Sequence, residues 1–171
     1  MKKNIKFLSF LFAMVVMISC KKEVFNGLSD VRPPVPVTVT NAIDFRPEPT
    51  VSTSISAGGA IQIVLSIPSN SGRTIKEITR IAIGTTYTKI QGTTGLWSAA
   101  PIPVNATTYT FNTSLTEYSA KGGGAIPGAG ITPSTISTTV GTETTNRFYF
   151  MLTLDDGSII IPEPVRVLVK N

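Results

Sequence analysis

Histidine is absent from the 171-residue chain, and cysteine occurs once, at position 20. Without histidine there is no Ser-His-Asp or Cys-His nucleophilic machinery, and zinc loses its commonest nitrogen ligand. With one cysteine no disulfide can close within the chain. The fold must then be held by its apolar core alone. Charge is also scarce, at 15% of residues, and it is unevenly spread. Residues 1–36 carry six Lys or Arg against two acids, whereas residues 37–171 carry nine against eight. The basic excess therefore belongs to the start of the chain. Nucleic-acid binding needs a basic patch on the folded part, and none is expected here. The longest apolar run, Phe7 to Ile18, has 12 residues, too few for a bilayer that takes about 20 helical residues to cross.

That short run sits in an export-type leader. Lys2, Lys3 and Lys6 form a basic start, the apolar run follows, and small Ser19 precedes Cys20, the three parts of a secretory signal. Met17-Ile18-Ser19-Cys20 resembles the lipobox of bacterial lipoproteins, with Met17 in place of the usual leucine. The resemblance implies a diacylglycerol thioether on the Cys20 sulfur, removal of residues 1–19 and acylation of the new amino terminus. One acyl chain binds membranes marginally, at about 0.8 kcal/mol per buried methylene, and two or more anchor stably. The alternative is an ordinary signal peptide with an incidental cysteine. Lys21 and Lys22 are placed to meet anionic headgroups. Some envelope lipoproteins of the Bacteroidota type carry an acid-rich export signal after the cysteine. Lys21-Lys22-Glu23 holds one acid, so the outer membrane is expected and the leaflet is left open.

Residues 20–36 read as the lipidated cysteine and a tether. Proline at three of the four positions Pro33-Pro34-Val35-Pro36 removes amide donors and favours an extended segment of about 3.1 Å per residue. Residues 37–171 read as one domain. Apolar residues recur there with period two, the mark of half-buried strands. Val35, Val37 and Val39 alternate with Pro36 and Thr38; Ile61, Ile63, Leu65 and Ile67 share a face; Phe148, Phe150, Leu152 and Leu154 alternate with Tyr149, Met151 and Thr153. Asp155-Asp156-Gly157 supplies a turn into a partner strand from Ser158 to Ile161, and Val165 to Lys170 follows as the last strand. Further strands are predicted at 50–56, 75–83, 87–91, 108–115 and 134–140. Ile75, Ile78 and Ala82 also fit a helical stripe, so residues 75–83 are either a strand or a short helix. Residues 115–121 are expected to hold one helical turn, ended by Gly122-Gly123-Gly124. Eight or nine short strands with Gly and Pro punctuation point to an all-β fold, an antiparallel sandwich with long loops. It is similar to immunoglobulin and fibronectin type III modules of exported envelope proteins, without the disulfide-and-tryptophan signature of antibody domains.

Chemistry is harder to find. Lys121 to Gly130 is glycine-rich, but a phosphate loop needs Gly-Lys-Ser/Thr opening a helix, and here the lysine precedes the glycines and Pro127 interrupts. A flexible loop is expected. Asp155 and Asp156 are too few for a dedicated calcium site, and no acid spacing supports a paired-carboxylate glycosidase. No enzyme activity, metal or cofactor is expected. Binding remains. Tyr87, Trp97 and Tyr118 lie in the irregular middle of the domain, and exposed aromatics stack on sugars or anchor protein partners. Trp97 either stands on a loop or caps the core, whereas Tyr109 and Phe111, alternating with Thr110 and Asn112, are core. The expected function is a membrane-anchored envelope module that binds glycan or matrix; the alternative is a structural lipoprotein that contacts another envelope protein.

Overall fold

The computed structural model describes residues 33–126 and 141–171. They form one compact unit, Pro33–Asn171. The predicted leader, Cys20, most of the predicted tether and the predicted strand at 134–140 lie outside the described residues. Val35 is buried in the core, so the proline-rich stretch already belongs to the packed unit.

The described residues are mostly β. Ten strands run in chain order: β1 Thr38–Val39, β2 Thr50–Ser54, β3 Ala60–Ser66, β4 Ile75–Gly84, β5 Ile102–Ala106, β6 Thr108–Ser114, β7 Thr142–Glu143, β8 Arg147–Leu154, β9 Ile159–Ile160 and β10 Arg166–Lys170. Short helical turns interrupt them: α1 Thr88–Gln91, α2 Leu115–Tyr118, a 3-10 turn at Ser69–Ser71 and a π turn at Ser119–Gly123 directly after α2. Pairing gives the orders β1-β3-β6, β2-β10-β7 and β5-β4-β8-β9. Every pair is antiparallel except β2 with β10, which run parallel over five residues. The wholly antiparallel expectation is corrected at that point. Its cause lies in the sequence after β9, where Pro162 and Pro164 lack ladder donors. The chain leaves β8 there, touches it again through Phe148 and Val165, and continues along β2 as β10.

One apolar core takes the inner row of every long strand. Ile61, Ile63 and Leu65 of β3, Phe111 of β6, and Phe148, Phe150, Leu152 and Leu154 of β8 all belong to it. Each such side chain contributes roughly 1.5–3 kcal/mol when fully buried. The ambiguous segment 75–83 is strand, and its pattern has a mechanical explanation. Register shifts fall between Ile75 and Glu77 and between Ile78 and Arg80, so Lys76 and Thr79 are extra residues in the ladder. Each bulge turns a spacing of three into a same-face spacing. Ile75, Ile78, Ile81 and Ile83 thus stand opposite Leu154, Leu152, Phe150 and Phe148, all facing inward.

Residues 87–91, predicted as a strand, are a helical turn instead. Tyr87 and Ile90, three apart, share one helical face, and both reach Tyr149 on the outer side of the four-stranded sheet. That small second cluster of Ala82, Ile90 and Tyr149 fixes α1 on the sheet despite the β-prone Tyr, Thr and Ile it contains.

Candidate interaction surfaces

The three aromatics singled out from the sequence are not brought together on one surface. Tyr118 has no exposed surface at all, which corrects its assignment as a ligand-binding side chain. The reason is the start of α2. Ser114 caps the turn by accepting from the Glu117 amide, and this directs Leu115 and Tyr118 inward. The Tyr118 hydroxyl then donates to the Asn146 carbonyl and accepts from the Asn146 amide, both at 3.1 Å. Asn146 also donates from Nδ2 to the Gly122 and Gly123 carbonyls. Within the described part of the glycine run, Lys121 to Gly124 form a packed helix end rather than a free loop.

Trp97 is partly buried and serves the core. Its ring meets Phe111 at 5.9 Å and Phe148 at 5.5 Å, both edge-on. Lys121 Nζ lies 4.5 Å from the ring centroid, and Lys121 is itself held by Glu117 at 2.9 Å. A sugar stacking on that face would first have to displace a favourable cation–π contact. Glu117 is drawn below the usual carboxylate range by the hydrogen bonds from Lys121 and Thr113, so its carboxylate stays ionised at neutral pH.

Tyr87 alone is well exposed, at 44%. It rests edge-on against Tyr149 with ring centroids 5.1 Å apart. Around it the outer side of the four-stranded sheet carries an apolar cluster, beside which Arg80, opposite Met151, donates to the Gln91 and Gly92 carbonyls. Leu96, Met151 and Ile161 pack on the Tyr149 cluster, and Ile159 of β9 is 64% exposed. Ile159 sits opposite Thr153 in the ladder, one residue out of phase with inward Ile160, so Ile159 and Ile161 flank the same outer face. A charged group borders this strip. Glu48 accepts from Arg147 Nε at 2.5 Å and lies 3.7 Å from Arg166 Nε, while Arg166 also pairs with Glu143. Burial raises the Tyr87 and Tyr149 hydroxyls above their ordinary value, with nearby Glu48 adding to the effect in both.

Other candidates have structural occupations. Asp155 and Asp156 both pair with Arg73, which closes the β8–β9 turn on the start of β4. Among the described residues no group of three or more acidic or cysteine side chains is placed to hold a metal. A shallow depression of about 300 Å³ is lined by Ser52, Thr53, Ser54, Ala57, Ala60 and Lys170, a hydroxyl-rich dish with one cation. No described helix is long and apolar enough to cross a membrane. The chain matches no family model, no curated protein and no solved structure.

The buried Tyr118 hydroxyl carries a pH prediction. Burial raises its pKa above 10.0, against the weaker opposing effect of its hydrogen bonds. A group raised in the folded state contributes stability that is complete below the unfolded pKa and is lost as pH rises through the folded one. With no histidine to titrate near neutrality, thermal stability should stay level from about pH 6 to 9 and fall above about pH 10. Melting curves at pH 8 and 11 check this, and Tyr118→Phe should reduce the alkaline loss. An equal loss in that variant would move the cause elsewhere.

Proposed function

We propose that the chain is a lipid-anchored, non-catalytic lipoprotein of the cell envelope, held at the outer membrane through Cys20. Its folded unit acts as an immunoglobulin- or fibronectin type III-like sandwich that contacts another envelope protein. The orders β1-β3-β6 and β5-β4-β8-β9 support that reading, since such modules are built from one three-stranded and one four-stranded sheet. The contact is carried by one observation: an apolar strip on the outer face of the four-stranded sheet in which Tyr87 and Ile159 are exposed and Met151 and Ile161 are half-buried. Grouped apolar surface rimmed by charge marks protein interfaces more than scattered apolar residues do.

A photo-crosslinking residue at position 159 in intact cells should recover a discrete protein neighbour, and the same residue at Lys76 should not. Silence at 159 would remove the protein-contact assignment. The glycan-binding alternative keeps one supporting observation, the half-exposed Tyr87 ring with the Glu48 and Arg147 pair close by. A glycan-array signal abolished by Tyr87→Ala would favour it. The anchor has its own test. Cys20→Ser should move essentially all of the protein from the membrane fraction to the soluble one, and continued sedimentation with membranes would refute lipidation.

A further inference from the structure

The three-stranded sheet β1-β3-β6 contains no charged residue. Thr38-Val39, Ala60 to Ser66 and Thr108 to Ser114 are all neutral, whereas β4 alone carries Lys76, Glu77 and Arg80. Its outward row is largely hydroxyl and amide, with Thr38, Gln62, Ser66, Thr108, Thr110 and Asn112 around the apolar Ala60 and Val64. Gln62 Nε2 donates to Asn112 Oδ1 across the ladder at 3.1 Å.

Among the described residues β6 pairs on one side only, with β3. Unpaired strand edges template association with another chain, and proteins blunt them with short strands, prolines, charges or bulges. The other edges here are blunted. Strands β1, β7 and β9 have two residues each, and β5 contains Pro103 and a register irregularity against β4. Strand β2 is tied at both ends, by the Thr50–Asp44 bridge and by Thr53 Oγ1 donating to the Ala60 carbonyl at 2.6 Å. Among the edges of the described residues, only β6 offers seven residues with no proline, glycine, charge or bulge.

We propose that β6 is a homotypic interface, pairing antiparallel with β6 of a second copy of this chain to join two β1-β3-β6 sheets into one. The neutrality of the edge argues for a second copy. A self-paired strand meets its own charges, and like charges opposite each other destabilise a ladder; this strand has none. A twofold axis at Phe111 also keeps each face in phase, because it places Thr110 opposite Asn112 and Thr108 opposite Ser114. Polar residues then face polar residues outside, while Phe111 and Tyr109 stay toward the core. An isologous contact of this kind closes as a dimer and does not grow into a filament. It is separate from the apolar strip on the other sheet, so it stands or falls independently of the partner assigned there.

The full-length chain in its membrane provides the test. The double variant Thr110→Cys, Asn112→Cys brings the new thiols within the 4.4–6.8 Å Cα span of a disulfide and should yield most of the protein as a covalent dimer on mild oxidation. Lys76→Cys, on the other sheet, should yield at least tenfold less. The double variant Thr110→Lys, Asn112→Lys sets lysines opposite each other and should abolish dimer in size measurements while the monomer keeps its folded circular-dichroism spectrum, because both side chains point to solvent. Absence of a β6 disulfide dimer, equal crosslinking at position 76, or a monomeric parent chain would each overturn the proposal.

Discussion

Replacing Phe148 by Ala is expected to lower stability by about 3–5 kcal/mol, the usual cost of emptying a fully buried aromatic site. Phe148 has no exposed surface and is the hub of the aromatic core. Its ring meets those of Trp97, Phe111 and Tyr118 at 5.5, 5.5 and 5.8 Å. It also lies where β8 is joined to the start of β10, with its amide donating to the Val165 carbonyl and its carbonyl accepting from the Val165 amide. The neighbouring rings are held from several elements, so they cannot collapse into the void. A domain of this size has roughly 5–15 kcal/mol in total, and the midpoint should fall by on the order of 10–20 °C. A drop under about 5 °C in a thermal melt would show that the site can repack.

The same experiment on Trp97 separates two roles. Trp97→Ala should lower the midpoint by about half as much, because the ring is only partly buried and part of its contact is with Lys121. An exposed sugar platform would leave the midpoint unchanged. A stability loss without loss of any glycan signal therefore assigns Trp97 to the core.

Much of the fold could be read from alternation. The rows Ile61-Ile63-Leu65 and Phe148-Phe150-Leu152-Leu154 are inward as expected, because one residue of strand is half a period and nothing interrupts those two ladders. Where the period failed, a specific device intervened. Two bulges gave β4 the spacing of a helix. The spacing of three between Tyr87 and Ile90 was a genuine helical turn, hidden by β-prone residues. Strand β5 was missed because Pro103 reads as a breaker, although proline is tolerated on an edge. The aromatics were least legible. Whether Trp97 faces solvent depends on Phe111, Lys121 and Phe148, residues far along the chain, and local sequence carries no sign of them. Tyr118 had one sign that was available. It stands three residues after Leu115 on the predicted turn, so the two share a face that a capped helix end must bury against the sheet.

Gly123→Ala is expected to be the most damaging substitution outside the strands. A Cβ at this position would lie 2.5 Å from Cδ1 and Cε1 of Tyr118 and from its carbonyl oxygen. The ring has no room to retreat, since it is fully buried and its hydroxyl is bonded in both directions to Asn146. Overpacking of this kind costs about 1–3 kcal/mol, and backbone in the clash raises the figure. Gly122 is the internal control. A Cβ there meets nothing within 4 Å, so only its left-handed φ of +84° is at stake, at about 1 kcal/mol. The order Gly123→Ala worse than Gly122→Ala distinguishes packing from backbone freedom as the reason for the glycine run. Coupling supplies the sharper test. If the clash with the Tyr118 ring is the cause, Gly123→Ala in a Tyr118→Leu background should cost measurably less than in the parent, a non-additivity expected only of residues in contact. Full additivity in chemical denaturation would mean that Gly123 acts through its own backbone and that the contact with Tyr118 is incidental. The two outcomes also bear on Asn146, whose Nδ2 holds the Gly122 and Gly123 carbonyls. Only a run packed against Tyr118 keeps those carbonyls in place for it, joining the end of α2 to the start of β8.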